Sequence, residues 1–97
     1  MAHADLLTEE QIADELNDLP LWNRQGNIIV RELVGANFPA AMGIVNAIAI
    51  LAESADHHPD ILIYGWNKVR VTLSTHEQDG LTMQDFELAK KIEDLKF

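Results

Sequence analysis

The chain has 97 residues, 47% of them hydrophobic and 24% charged, which is the make-up of one ordinary globular domain (residues 1–97) with a thin core. It contains no cysteine, and this excludes disulfides, thiolate catalysis and zinc sites built on cysteine. With 16 acidic against 7 basic residues the net charge is −9, a field that repels phosphate backbones and anionic lipid, so direct nucleic-acid or membrane binding is not expected.

The segment Leu7-Thr8-Glu9-Glu10-Gln11-Ile12 reads as a helix start, with Thr8 and Gln11 forming a capping box and Leu7 stapled onto Ile12. A first helix is predicted from Thr8 to about Asp18, with Ile12, Leu16 and Leu19 at helical spacing and Pro20 ending the run. Trp22 opens a strand that is interrupted at Gln25-Gly26-Asn27 and resumes over residues 28–33, a hairpin in which Gly26 or Asn27 supplies positive φ. Asn37 caps a long second helix with Pro39 in its first turn, running to about Ser54 or Ala55. Phe38, Met42, Val45, Ala49 and Ala52 form one apolar stripe on it, and Ala41, Ile44, Ile48, Leu51 and Ala55 form a second. A chain this small has too little core to cover both, so the second face is expected to meet another subunit.

Residues 61–64 read as a short strand, Gly65-Trp66 as a turn or bulge, and residues 67–75 as a strand. In the latter Val69, Val71, Leu73 and Thr75 share one face, Lys68, Arg70, Thr72 and Ser74 the other, and His76 has the parity of the polar face. Thr82 with Asp85 repeats the capping box, Leu81 staples onto Phe86, and a third helix is predicted to about Leu95, with Lys90, Lys91 and Lys96 toward its carboxyl end. The order predicts an α+β domain, a four-stranded largely antiparallel sheet with three helices packed on one face. No basic stretch leading into an apolar core opens the sequence, and no apolar run is expected to reach the length of a membrane span, so a cytoplasmic location is expected.

Chemistry concentrates in one stretch: His57-His58-Pro59, with Glu53 four residues before His57 and His76 further on. Histidine titrates near neutral pH, so the cluster points to acid/base work or to metal. Adjacent residues of an extended segment point to opposite sides and no HExxH pattern is present, so no metal site is expected. Neither a nucleophile motif nor a glycine-rich phosphate loop occurs. If the second helix continued through Asp56, Glu53 would lie one turn below His57 and could hold its imidazole. The plain alternatives are that Glu53, His57, His58 and His76 are solvated surface residues and that Asp85 is only a cap.

Glu53-x-x-x-His57-His58-Pro59, then Tyr64-Gly65-Trp66-Asn67-Lys68-Val69, then Thr72-Leu73-Ser74-Thr75-His76, then Gly80-Leu81-Thr82 with Asp85 resembles the signature of the pterin-4a-carbinolamine dehydratases. Trp22 and the Phe38-x-x-Ala41 region extend the resemblance over essentially the whole chain. Two departures from the animal members stand out: one extra residue between Pro59 and Asn67, and Gln84 in place of an arginine. The resemblance implies dehydration of a 4a-hydroxytetrahydropterin to a quinonoid dihydropterin in tetrahydropterin recycling, with no cofactor and with a functional link to an aromatic amino-acid hydroxylase. It further implies that His57, His58 and His76 form the catalytic set, with His57 and His76 as the acid/base pair and His58 binding and orienting the pterin. Glu53 and Asp85 would hold imidazoles or contact the substrate. A homodimer or homotetramer is expected. The rival reading is a non-catalytic interaction or transcriptional cofactor module on the same fold, against which the retention of three histidines argues.

Overall fold

The computed structural model describes residues 5–97. Its elements in chain order are α1 (Glu9–Asn17), β1 (Trp22–Gln25), β2 (Ile28–Val34), α2 (Phe38–Ala55), β3 (Asp60–Tyr64), β4 (Lys68–Leu73), a 3-10 turn (His76–Gln78) and α3 (Met83–Asp94). Each helix begins where a side chain can take up an orphaned backbone N–H. Thr8 caps α1 in a full capping box with Gln11, Asn37 accepts from the Ala40 N–H with Pro39 just inside α2, and Thr82 with Asp85 boxes α3. In the β1–β2 hairpin only Gly26 of the two turn residues has positive φ (61°), the pattern of a type II′ turn; Asn27 is not needed for it.

The strands lie in the order β1-β2-β4-β3, and every neighbouring pair is antiparallel. Residues directly opposite in such a ladder share a face. The register Ile29↔Leu73, Leu33↔Val69, Ile61↔Val71 and Ile63↔Val69 therefore puts one apolar surface across three strands. Ile12 of α1, Ala41, Ile44, Ile48 and Ala52 of α2, and Phe86, Leu88, Ala89 and Ile92 of α3 complete the core on it. The α+β expectation holds, with a fully antiparallel sheet.

Arg31 lies on the helix-covered face, and Glu93 of α3 accepts both its Nε–H at 2.6 Å and the Trp22 indole N–H at 2.8 Å, joining the last helix to the first hairpin. Gly35 precedes α2 where a Cβ would stand 2.8 Å from the Ala41 backbone nitrogen, so the close approach needs glycine. The other face of the sheet carries Glu32, Tyr64 and Arg70. Glu32 accepts from the Tyr64 hydroxyl at 2.7 Å and from Arg70 Nε at 2.6 Å, and the guanidinium sits 5.0 Å from the Tyr64 ring centroid.

Two expectations change. The second strand of the β3–β4 hairpin ends at Leu73, so His76 is not at a strand end: Thr75 pairs with Gly80 across an isolated bridge, and the intervening chain turns in 3-10 fashion from His76. By length and composition α2 is apolar enough to cross a membrane, contrary to the reading that no run reaches that size. Ala41, Ile44, Ile48 and Ala52 are committed to the core, while Phe38, Met42 and Ile50 stay exposed, so core burial accounts for only part of its apolar character.

Candidate active site

The site begins with how α2 stops. Asp56 adopts the left-handed conformation (φ 51°, ψ 41°), its N–H bonds to the Glu53 carbonyl, and the His57 N–H reaches back to the Ala52 carbonyl at 3.1 Å. This 6→1 and 5→2 pairing is a Schellman motif, with aspartate where glycine is commonest. The reversal separates two neighbouring imidazoles that an uninterrupted helix would have kept in sequence. His57 turns inward toward the start of α3, its side chain 10% exposed, while His58 turns outward at 59% exposed.

His57 Nε2 lies 2.6 Å from Asp85 Oδ1, and Asp85 is fully buried. The second carboxylate oxygen, Oδ2, accepts from the Thr75 hydroxyl at 2.8 Å and from the Thr82 backbone N–H at 2.9 Å. The Thr75 hydroxyl and the Thr82 N–H thus donate to one buried carboxylate whose other oxygen meets the His57 ring, and these contacts make its desolvation tolerable. Asp85 is both the capping-box residue of α3 and the holder of an imidazole. Its carboxylate is engaged at both oxygens, an arrangement suited to holding His57 rather than to reaching a bound molecule directly.

Glu53 pairs with His58, Oε1 to Nε2 at 2.9 Å, and not with His57. The alignment of Glu53 below His57 required the helix to continue, and the left-handed Asp56 ends it. His76 is exposed at the first position of the 3-10 turn, directly after Thr75, whose hydroxyl is part of the Asp85 network. Among the described residues no three histidine, aspartate or glutamate side chains come together as a ligand set.

Two participants escaped the sequence reading. Both stand in the motif that carries the resemblance, but Thr75 was given no role beyond the apolar strand face, and Thr82 none beyond a cap. Both are buried, at 3% and 0% exposed, and their hydroxyl oxygens lie 2.8 Å apart. The available signal was Thr75 itself: a hydroxyl with the parity of a buried face must find a partner.

A scan of family models matches residues 5–95 to the family described as pterin 4 alpha carbinolamine dehydratase. A relative from Nocardia farcinica that carries the dehydratase name is 50% identical over 91 residues, covering 94% of this chain and 95% of its own. One from Sulfurisphaera tokodaii, with the same name, is 44% identical over 89 residues, covering 92% and 95%. Among solved structures, a transcriptional coactivator/pterin dehydratase from Brucella melitensis superposes with a TM-score of 0.89 at 32% identity, covering 96% of this chain and all of the other. A pterin dehydratase-like RuBisCO assembly factor of the alpha-carboxysome shares the fold alone, with a TM-score of 0.61 at 17% identity over 76% and 84% of the two chains.

Proposed function

The chain belongs to the pterin-4-alpha-carbinolamine dehydratase family, and on that premise we propose that it dehydrates a 4a-hydroxytetrahydropterin to the quinonoid dihydropterin by histidine acid/base catalysis. In the reaction the C4a–O bond breaks and the hydroxyl leaves as water with an added proton. N5 gives up its proton, and the C4a=N5 double bond forms. Atoms and charge balance with no oxidant or reductant. The observation that carries the reading is the His57–Asp85 pair, an imidazole held at 2.6 Å by a carboxylate with no exposure to solvent.

In the neutral imidazole, donation from Nε2 to Asp85 leaves Nδ1 as the acceptor nitrogen, the form needed to take the N5 proton. The buried carboxylate then stabilises the imidazolium that results. His76, exposed beside Thr75, is the second acid/base group, delivering the proton to the departing hydroxyl, and His58, braced by Glu53, orients the pterin ring. One effective acid/base group is worth about 10²–10⁴-fold, a range suited to an elimination that needs proton transfer and no more. Recycling of tetrahydropterin after an aromatic hydroxylase is the setting in which such a substrate arises.

The chain is also proposed to act as a homodimer or homotetramer. Phe38, Met42 and Ile50 of α2 stand 50%, 39% and 71% exposed on a helix whose outer surface carries no charge before Glu53, and on a protein of net charge −9 an uncharged face is where two copies can meet without repulsion.

The test is the ultraviolet change of chemically generated 4a-hydroxytetrahydropterin with and without the protein. Acceleration is expected, with His57→Ala and His76→Ala each lowering kcat by about 10²-fold and His58→Ala acting mainly on KM. A folded double variant lacking both His57 and His76 that dehydrates as fast as the unmodified chain would defeat the proposal. That result would favour a non-catalytic interaction role on the same fold.

A further inference from the structure

We propose that Thr75 and Thr82 are positioning residues for this reaction, a directed pair of hydroxyls that locks the Asp85 carboxylate so that it holds His57 in one tautomer and one orientation. The inference rests on the dehydratase reading for its kinetic consequence, and on geometry alone for its structural one.

Hydrogen-bond bookkeeping sets the direction. An ionised carboxylate only accepts, so the Thr75 hydroxyl, 2.8 Å from Asp85 Oδ2, must donate to it. That uses the one proton of Thr75. At the 2.8 Å contact between the two threonine oxygens Thr82 is then the donor and Thr75 the acceptor. The Thr82 oxygen can in turn accept from the Gln84 backbone N–H at 3.3 Å. The chain therefore runs from the first turn of α3 through Thr82, Thr75 and Asp85 to His57, with all three intermediate side chains at 3% exposure or less.

Such a chain does more than satisfy polar atoms. Oδ2 is pinned by two donors, Thr75 Oγ1 and the Thr82 N–H, so the carboxylate plane cannot turn and Oδ1 must face the imidazole. The imidazole must meet it with Nε2–H, and Nδ1 is presented as the acceptor. No cap needs the Thr75 hydroxyl: α3 would be boxed by Thr82 and Asp85 without it. Its placement is explained by the orientation of Asp85, since it comes from the other side of the isolated Thr75–Gly80 bridge.

The experiment pairs kinetics with nitrogen-15 NMR of the histidine rings. In the unmodified protein the neutral His57 ring should be protonated at Nε2 and unprotonated at Nδ1. Thr75→Val keeps the volume and removes the donor; it should lower kcat about tenfold with KM within about twofold, and should mix the His57 tautomers. Thr75→Ser should restore both the single tautomer and kcat to within about threefold, because the hydroxyl returns. Thr82→Val, one step further from the ring, should give a smaller loss in the same direction.

A folded Thr75→Val protein with unchanged kcat and an unchanged Nε2–H tautomer overturns the proposal, even if its melting temperature falls. Should Thr75→Val fail to fold, the unmodified protein decides: a His57 ring protonated at Nδ1 and bare at Nε2 overturns the proposal without any variant. Absence of dehydratase activity in the unmodified chain would defeat the functional reading, while the tautomer measurements would still decide the relay.

Discussion

Asp85 is the residue on which structure and chemistry meet. As a cap it needs only an acceptor for the Thr82 N–H; as the partner of His57 it needs a charge. Asp85→Asn separates the two demands. Asparagine retains one acceptor oxygen but brings an NH2 group that must face either the Thr75 and Thr82 donors or His57 Nε2. The first choice sets donor against donor, and the second reverses the imidazole tautomer. The expected outcome is a stability loss of about 1–3 kcal/mol together with a fall in kcat of about 10–100-fold, read by thermal melting and by the dehydration assay. A variant that loses stability but turns over normally would reduce Asp85 to its capping role.

The end of α2 and the open sheet face make the element-scale arguments. Asp56 takes a left-handed conformation that L-residues adopt at a cost, and aspartate tolerates it better than most. A β-branched side chain there should strain the Schellman turn that sends His57 inward and His58 outward. Asp56→Val is expected to lower stability by about 1–2 kcal/mol and to impair turnover, whereas Asp56→Gly should stay within about 1 kcal/mol of the parent, both measured by chemical denaturation. On the sheet, the Arg70 hydrogen bond first, and then that of Tyr64, holds the Glu32 carboxyl below its ordinary value of 4.5. A carboxylate lowered in the fold stabilises it above the unfolded value, and the contribution disappears as pH falls through the lower folded value. Glu32→Gln should therefore melt slightly below the parent at about pH 7, with the difference closing as pH falls through the lowered folded value. A difference that widened on acidification would contradict this assignment. The effect is small because Glu32 and Arg70 are exposed and Tyr64 is only partly covered, so solvent screens the pair.

For the whole molecule, the question is which of the two apolar stripes of α2 is spent internally. Ala41, Ile44 and Ile48 of the second stripe, the one expected to meet another subunit, are core together with Ala52 of the first, while Phe38 and Met42 of the first stay exposed, so a charge at Ile44 or Ile48 would test folding and not assembly. Ile50, at 71% exposed, is the informative position. Light scattering of the unmodified chain at micromolar concentration is expected to give the mass of two or four copies. Ile50→Glu should reduce that mass while leaving circular dichroism unchanged, and Ile48→Glu should unfold the chain. A parent mass near one copy would remove the case for assembly.

The sequence by itself determined what is local. Helix starts follow from Thr8 with Gln11, Asn37 with Pro39 and Thr82 with Asp85, because a cap acts within four residues of the N–H it satisfies. Strand faces follow from the two-residue period that puts Val69, Val71, Leu73 and Thr75 together. The clustering of His57, His58 and His76 was likewise visible without a fold. Only the tertiary structure decided which groups meet. His57 and Asp85 are 28 residues apart, and their contact depends on α3 crossing the end of α2 over the sheet, a placement set by the shared core of Ile48, Ala52, Phe86 and Ala89. The same holds for Glu53, whose partner became His58 because one left-handed residue ended the helix: periodicity measures distance along a continuing helix and carries no information about where the chain leaves it.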